Sequence, residues 1–156
     1  MYYLNCWIQI SVRNRSFCPV EKQDGKIVDV YVKSQYSLTS ATIGNRGFNE
    51  PVSLAGLTDT QLDKQIILNG KPIATVKSSS GPGTATIFLD AEKGNGAVLS
   101  HEGGHVKYNV QNFYSYLIWL QQNKGKSSGG HGGGNPSGFA ADKEEEIYIN
   151  NTKGKK

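Results

Sequence analysis

Up to about residue 95, apolar side chains tend to recur at every second position, the period of a strand with one buried face. In "MYYLNCWIQISV" the alternating residues are Tyr2, Leu4, Cys6, Ile8, Ile10 and Val12, and in "KIVDVYVKS" they are Val28, Val30 and Val32. "YSLTSATIG" is rich in β-branched residues and belongs to the same strand-forming part. In "KQIILNGKPIATV", Asn69-Gly70 lies between two apolar arms. A type I′ turn needs positive φ at both central positions, which Asn and Gly accept, so a hairpin is expected here. "GTATIFLD", bounded by Gly-Pro-Gly and by "AEKGNG", reads as a further strand. "PVSLAGLTDTQLDK" reads either as a long loop or as one helical turn from Thr58.

From Gly96 the period lengthens. Leu99, Gly103, Val106, Val110, Phe113, Leu117 and Leu120 recur at steps of three and four, an apolar stripe down a helix expected over 96–123. At about 100° per residue, His101 and His105 fall off that stripe, on the flank that also carries Asn112, Tyr116 and Trp119. Such a helix has two faces to bury. One packs on the sheet; the other needs cover from later in the chain. "NPSGFAADKEEEIYIN" supplies it as a helix over 136–150, capped by Asn135 or Ser137. The expected fold class is α+β in one domain, 1–156: an antiparallel twisted sheet from 1–95, the motif helix, a Gly-rich loop over 124–135, a C-terminal helix and a basic tail over 151–156.

Composition adds bounds. A chain of 156 residues can bury a core without staples. The net charge of +4 comes from scattered lysines and arginines, several in the terminal "NTKGKK", so nucleic acid is a disfavoured partner. No segment approaches the roughly 20 apolar residues that span a bilayer, and no membrane partner is expected. "MYYLNCWIQISV" has no basic n-region, and Asn5 and Gln9 break its apolar run, so it is not read as a signal peptide. Cys6 and Cys18 are too far apart for a Cys-x-x-Cys motif and are either a disulfide pair or two thiols.

The candidate chemistry lies in "AVLSHEGGHVKYNV", where His101-Glu102-Gly103-Gly104-His105 uses two of only three histidines. Residues i and i+4 share one side of a helix, so both imidazoles reach a single zinc ion, and Glu102 points to its flank as a general base. A catalytic zinc needs three protein ligands and one open position. His131, Asp142 and Glu145 are the candidates for the third, with one of the carboxylates able to orient a histidine instead. For "DKEEE" a solvated helix face is the competing reading, and Tyr108, Tyr114, Tyr116 and Trp119 read as core aromatics. Tyr148 is a candidate oxyanion donor.

This stretch resembles the active-site helix of the zincin metallopeptidases, in which His-Glu-x-Gly-His follows small and aliphatic residues. The resemblance implies that His101 and His105 bind zinc, that Glu102 is the general base, and that "TATIFLD" is the edge strand along which a peptide or protein substrate pairs its backbone. The ending "GHGGGNPSGFAADKEEEIY" resembles small metallopeptidase-type toxin domains at the C-termini of large bacterial secreted proteins. That would make the chain part of a larger delivered protein, secreted or sent to another compartment and met by an inhibitor or immunity partner. Departures exist. Gly103 stands where zincins carry a bulky apolar residue, and two glycines cost a helix interior roughly 2 kcal/mol relative to alanines. The metzincin extension and the glutamate of the thermolysin-like enzymes are both absent, Gly138 standing where that glutamate belongs. The competing reading is a non-catalytic β-rich binding module, or a degenerate zincin without turnover.

Overall fold

The computed structural model describes residues 20–21, 27–44, 48–59, 64–68, 71–76, 84–124 and 131–153. The strand expected over 2–12, both cysteines and the Asn69-Gly70 turn lie outside the described residues. In chain order the elements are β1 (Val20–Glu21), β2 (Ile27–Tyr36), α1 (Ser40–Ile43), β3 (Gly56–Asp59), β4 (Lys64–Leu68), β5 (Lys71–Val76), β6 (Thr84–Asp90), α2 (Gly96–Gln111), α3 (Phe113–Gln122) and α4 (Pro136–Thr152).

The class is α+β, as the patterning predicts. β4 and β5 pair antiparallel as the expected hairpin, apart from the main sheet. The main sheet has the order β1-β2-β6-β3 and is mixed rather than antiparallel, because β2 and β6 run parallel while β1 and β3 pair antiparallel with their neighbours. Alternation specifies which face of a strand is buried and says nothing of the neighbour's direction. Val28, Val30 and Val32 on β2 and Ala85, Ile87 and Leu89 on β6 form that buried face, packed against Leu99, Val106 and Val110 of α2. A fully buried valine of this kind contributes about 1.5–3 kcal/mol.

Three local expectations change. "YSLTSATIG" leaves β2 at Tyr36 and, after one bridge at Thr39 to Ser53, makes the single helical turn α1. Side chains that bond their own backbone drive this: the Thr42 hydroxyl donates to the carbonyls of Ser37 and Thr39. "GLTD" is neither loop nor helical turn but strand β3, made extended by its pairing with β6. The long helix is two helices, divided at Asn112, whose side-chain amide donates to the Tyr108 carbonyl at 3.2 Å while its backbone leaves helical geometry. No helix among the described residues is long and apolar enough to cross a membrane.

Asp90 ties the sheet to the start of α2. Its carboxylate accepts from the Leu38 N–H at 2.9 Å and from the Glu92 and Lys93 N–H groups at 3.0 Å, closing the turn after β6. Those backbone donors, Leu38 foremost, hold its carboxyl below the ordinary value despite its burial. Asn95 then caps α2, its side chain accepting from the Val98 N–H at 3.0 Å. The helix carrying the histidines thus starts from a rigid corner.

Candidate metal centre

α4 is the cover that the histidine flank of α2 needs. The helices run antiparallel and touch at Gly104, where an added Cβ would stand 2.6 Å from the Ala141 Cα and 2.8 Å from the Ala140 carbonyl oxygen. Ser137, Ala141 and Glu145 follow one another at helical spacing along the contact face of α4. Ser137 therefore meets His105, and Glu145 meets His101. Asn135 is the cap of α4, its side-chain oxygen accepting from the Ser137 and Gly138 N–H groups.

His131 arrives from the turn before that cap. The Asn135 N–H bonds to the Gly132 carbonyl at 3.0 Å, and Gly133 and Gly134 between them have φ of 57° and 77°. Positive φ at both central positions is the type I′ requirement, which glycine meets without strain. The turn holds His131 Nε2 at 3.0 Å from His101 Nε2 and 3.1 Å from His105 Nε2. The three histidines are close enough together to hold a metal ion.

The other ring nitrogens of His101 and His105 are occupied. His101 Nδ1 lies 2.9 Å from a Glu145 carboxylate oxygen and 3.5 Å from Asp142 Oδ1. His105 Nδ1 lies 2.8 Å from the Ser137 hydroxyl, which donates its only proton to Asn109 Oδ1 at 2.6 Å. Ser137 must therefore accept from His105, and a carboxylate can only accept from His101. Both Nδ1 atoms then act as donors, and both histidines turn Nε2 towards the third imidazole. Burial, followed by the neighbouring His101 and His131, lowers the pKa of His105 to about 3, so it stays neutral. Burial and His101 also lower that of His131, against the opposing pull of Asp142 and Glu145. Ring nitrogens converging on one point repel one another unless a proton or a cation stands among them.

Glu102 is buried at 7% exposure. The Thr58 hydroxyl of β3 donates to its Oε2. Burial raises its carboxyl above the ordinary value, only partly offset by the Thr58 hydrogen bond and by His101. Glu102, the three histidines and the strand residues Gly56 and Thr58 line one cavity of about 510 Å³.

No protein-family model, curated protein or solved structure matches the chain. The arrangement is read from its own residues. Of the residues singled out in the sequence, His101, His105 and His131 meet through Nε2, while Asp142 and Glu145 meet the opposite edge of His101. Those three also lie near one another, but Asp142 is 63% exposed. Tyr148 places its hydroxyl against Gly96 and does not line the cavity. Tyr116 is buried beside Tyr108 and Trp119 and also lines the cavity. β6 is an interior strand, so "TATIFLD" is not an edge; among the described residues β1 and β3 are the edges, and β3 is the one that lines the cavity. Thr58, Gly56, Ser137 and Asn109 carried no signal of their role, since each works through a partner remote in sequence.

Proposed function

We propose that this chain is a zinc-dependent peptidase with His101, His105 and His131 as metal ligands and Glu102 as general base. The observation that carries this reading is the convergence of three imidazole Nε2 atoms beside a buried carboxylate in one open cavity. Tetrahedral zinc at about 2.0–2.1 Å from each nitrogen sets its donors about 3.3 Å apart, and the separations of 3.0 and 3.1 Å are near that value. Imidazole donors suit zinc, and Glu145 and Ser137 orient two of them as outer partners. Bound there, zinc would supply Lewis-acid chemistry, polarising a carbonyl and lowering the pKa of a water to about 7.

The protein's own groups do the rest. An extended peptide pairs its backbone with β3, which among the described residues is the edge strand beside the cleft. Glu102 takes a proton from water as the water oxygen bonds to the scissile carbonyl carbon. It returns that proton to the leaving nitrogen as the C–N bond breaks.

Metal analysis after purification without chelator is the first test, with one zinc per chain expected for the wild type and loss on His131→Ala. Hydrolysis of a pool of fluorescence-quenched peptides is the second. Glu102→Gln is expected to keep the zinc and lose about 10²- to 10⁴-fold in rate. A wild type without metal, or a Glu102→Gln chain as fast as wild type, would overturn the proposal in favour of a non-catalytic binding module.

A further inference from the structure

Strand β3 and helix α2 meet at Glu102. Gly56 and Thr58 stand two positions apart on β3, opposite Leu89 and Ile87 of the buried face, so both look onto the helix. A Cβ built on Gly56 would stand 2.7 Å from Glu102 Cγ and 2.8 Å from its Oε1. Glycine is the residue that leaves room for the carboxylate there. Two positions on, the Thr58 hydroxyl donates to Oε2 and lies 3.2 Å from the Glu102 carbonyl oxygen. Among the described residues Oε1 takes no hydrogen bond.

We propose that Thr58 is a positioning residue for the base: its hydroxyl holds Oε2 while Gly56 leaves room for Cγ and Oε1, which makes Oε1 the oxygen that takes and returns the proton. This rests on the peptidase reading above. A hydroxyl suits the task because Oε2 accepts its proton while Glu102 is ionised and, as a carbonyl-type oxygen, still accepts it when Glu102 is protonated on Oε1. The carboxyl is thereby held in place through the whole proton cycle. Valine has the same shape and cannot donate. Since Thr58 belongs to the strand with which the substrate pairs, base and substrate share one frame, and a misplacement of about 1 Å costs on the order of 100-fold in rate.

The test compares zinc-loaded wild type, Thr58→Val and Thr58→Ser on the fluorescence-quenched peptide pool. Thr58→Val is expected to lower kcat by about 10- to 100-fold with KM and zinc content unchanged, and Thr58→Ser to restore most of the rate. A Thr58→Val chain with wild-type kcat, or a serine variant no faster than the valine one, overturns the proposal. A second readout needs no turnover: a double-mutant cycle of Thr58→Val and Glu102→Leu, followed by urea unfolding in EDTA. Non-additive midpoints are expected, because the hydroxyl loses its carboxylate partner in either single variant. Additive midpoints remove the clamp while leaving the peptidase reading intact; a wild type that cuts no peptide removes that reading itself.

Discussion

Gly104 and Ala141 are the point at which α2 and α4 come closest, with a Cβ on Gly104 only 2.6 Å from the Ala141 Cα. The atoms it would meet are backbone, so no rotamer change relieves the overlap. Gly104, a costly residue for a helix interior, thus permits the crossing that lays Ser137 on His105 and Glu145 on His101.

Gly104→Ala is accordingly expected to destabilise the protein although alanine is the better helix former. Overpacking costs about 1–3 kcal/mol, and the propensity gain returns about 1 kcal/mol. The net loss lowers the melting temperature by a few degrees. Zinc affinity falls with it, because both outer partners move away from their histidines. Calorimetry and competition against a chromophoric chelator measure the two effects; a variant more stable than wild type with unchanged affinity contradicts the packing argument.

How much of this was legible in the sequence follows from the range of each interaction. His101, Glu102 and His105 could be placed because their geometry is set inside one turn of one helix. The stripe of Leu99, Val106 and Val110 was readable for the same reason. His131 remained one of three candidates: its position depends on Gly132-Gly133-Gly134, which as composition resembles a linker and in three dimensions is a turn. β3 has only Leu57 as a large apolar residue and owes its extended form to β6, so no local pattern marked it. The parallel pairing of β2 with β6 was equally hidden, and with it the identity of the edge strand. Asn112 was read as a helical flank residue, yet its short amide side chain competes for backbone partners and ends the helix.

The turn after His131 makes a second prediction. Gly134 has φ of 77° with nothing within 4 Å of an added Cβ, so a side chain there meets backbone strain alone. Left-handed geometry costs an L-residue roughly 1–2 kcal/mol, and asparagine less. Gly134→Ala should weaken zinc binding by about 5- to 30-fold through mispositioning of His131, with Gly134→Asn in between. Chelator competition gives the ranking, and equal affinities for all three proteins would argue against His131 as a ligand held by this turn.

The two carboxylates near His101 are predicted to differ. Glu145 lies 2.9 Å from Nδ1 and is half-buried, whereas Asp142 stands at 3.5 Å and is exposed. Loss of an outer partner of a metal-binding histidine typically costs 10- to 100-fold in affinity, so Glu145→Ala should fall by about that much. An exposed pair is worth at most about 1 kcal/mol, which limits Asp142→Ala to about fivefold. The reverse order would mean that the carboxylate orienting His101 is Asp142.

Glu102 itself should cost the metal-free protein stability at neutral pH. Burial raises its folded pKa above the ordinary 4.5. Below pH 4.5 the carboxyl is protonated in both folded and unfolded chains and exacts no penalty. As pH rises from there through the folded value, the unfolded chain ionises freely while the folded one lags, and stability is lost. Glutamine cannot ionise, so it escapes this loss while still offering an oxygen to the Thr58 hydroxyl. Urea unfolding in EDTA should therefore give Glu102→Gln a higher midpoint than wild type at pH 8, with the gap closing at pH 4. A glutamine variant less stable than wild type at pH 8 would mean that the buried carboxylate is favoured by its surroundings. A stability gain joined to a loss of turnover is the pattern expected of a residue kept for chemistry against its own folding cost.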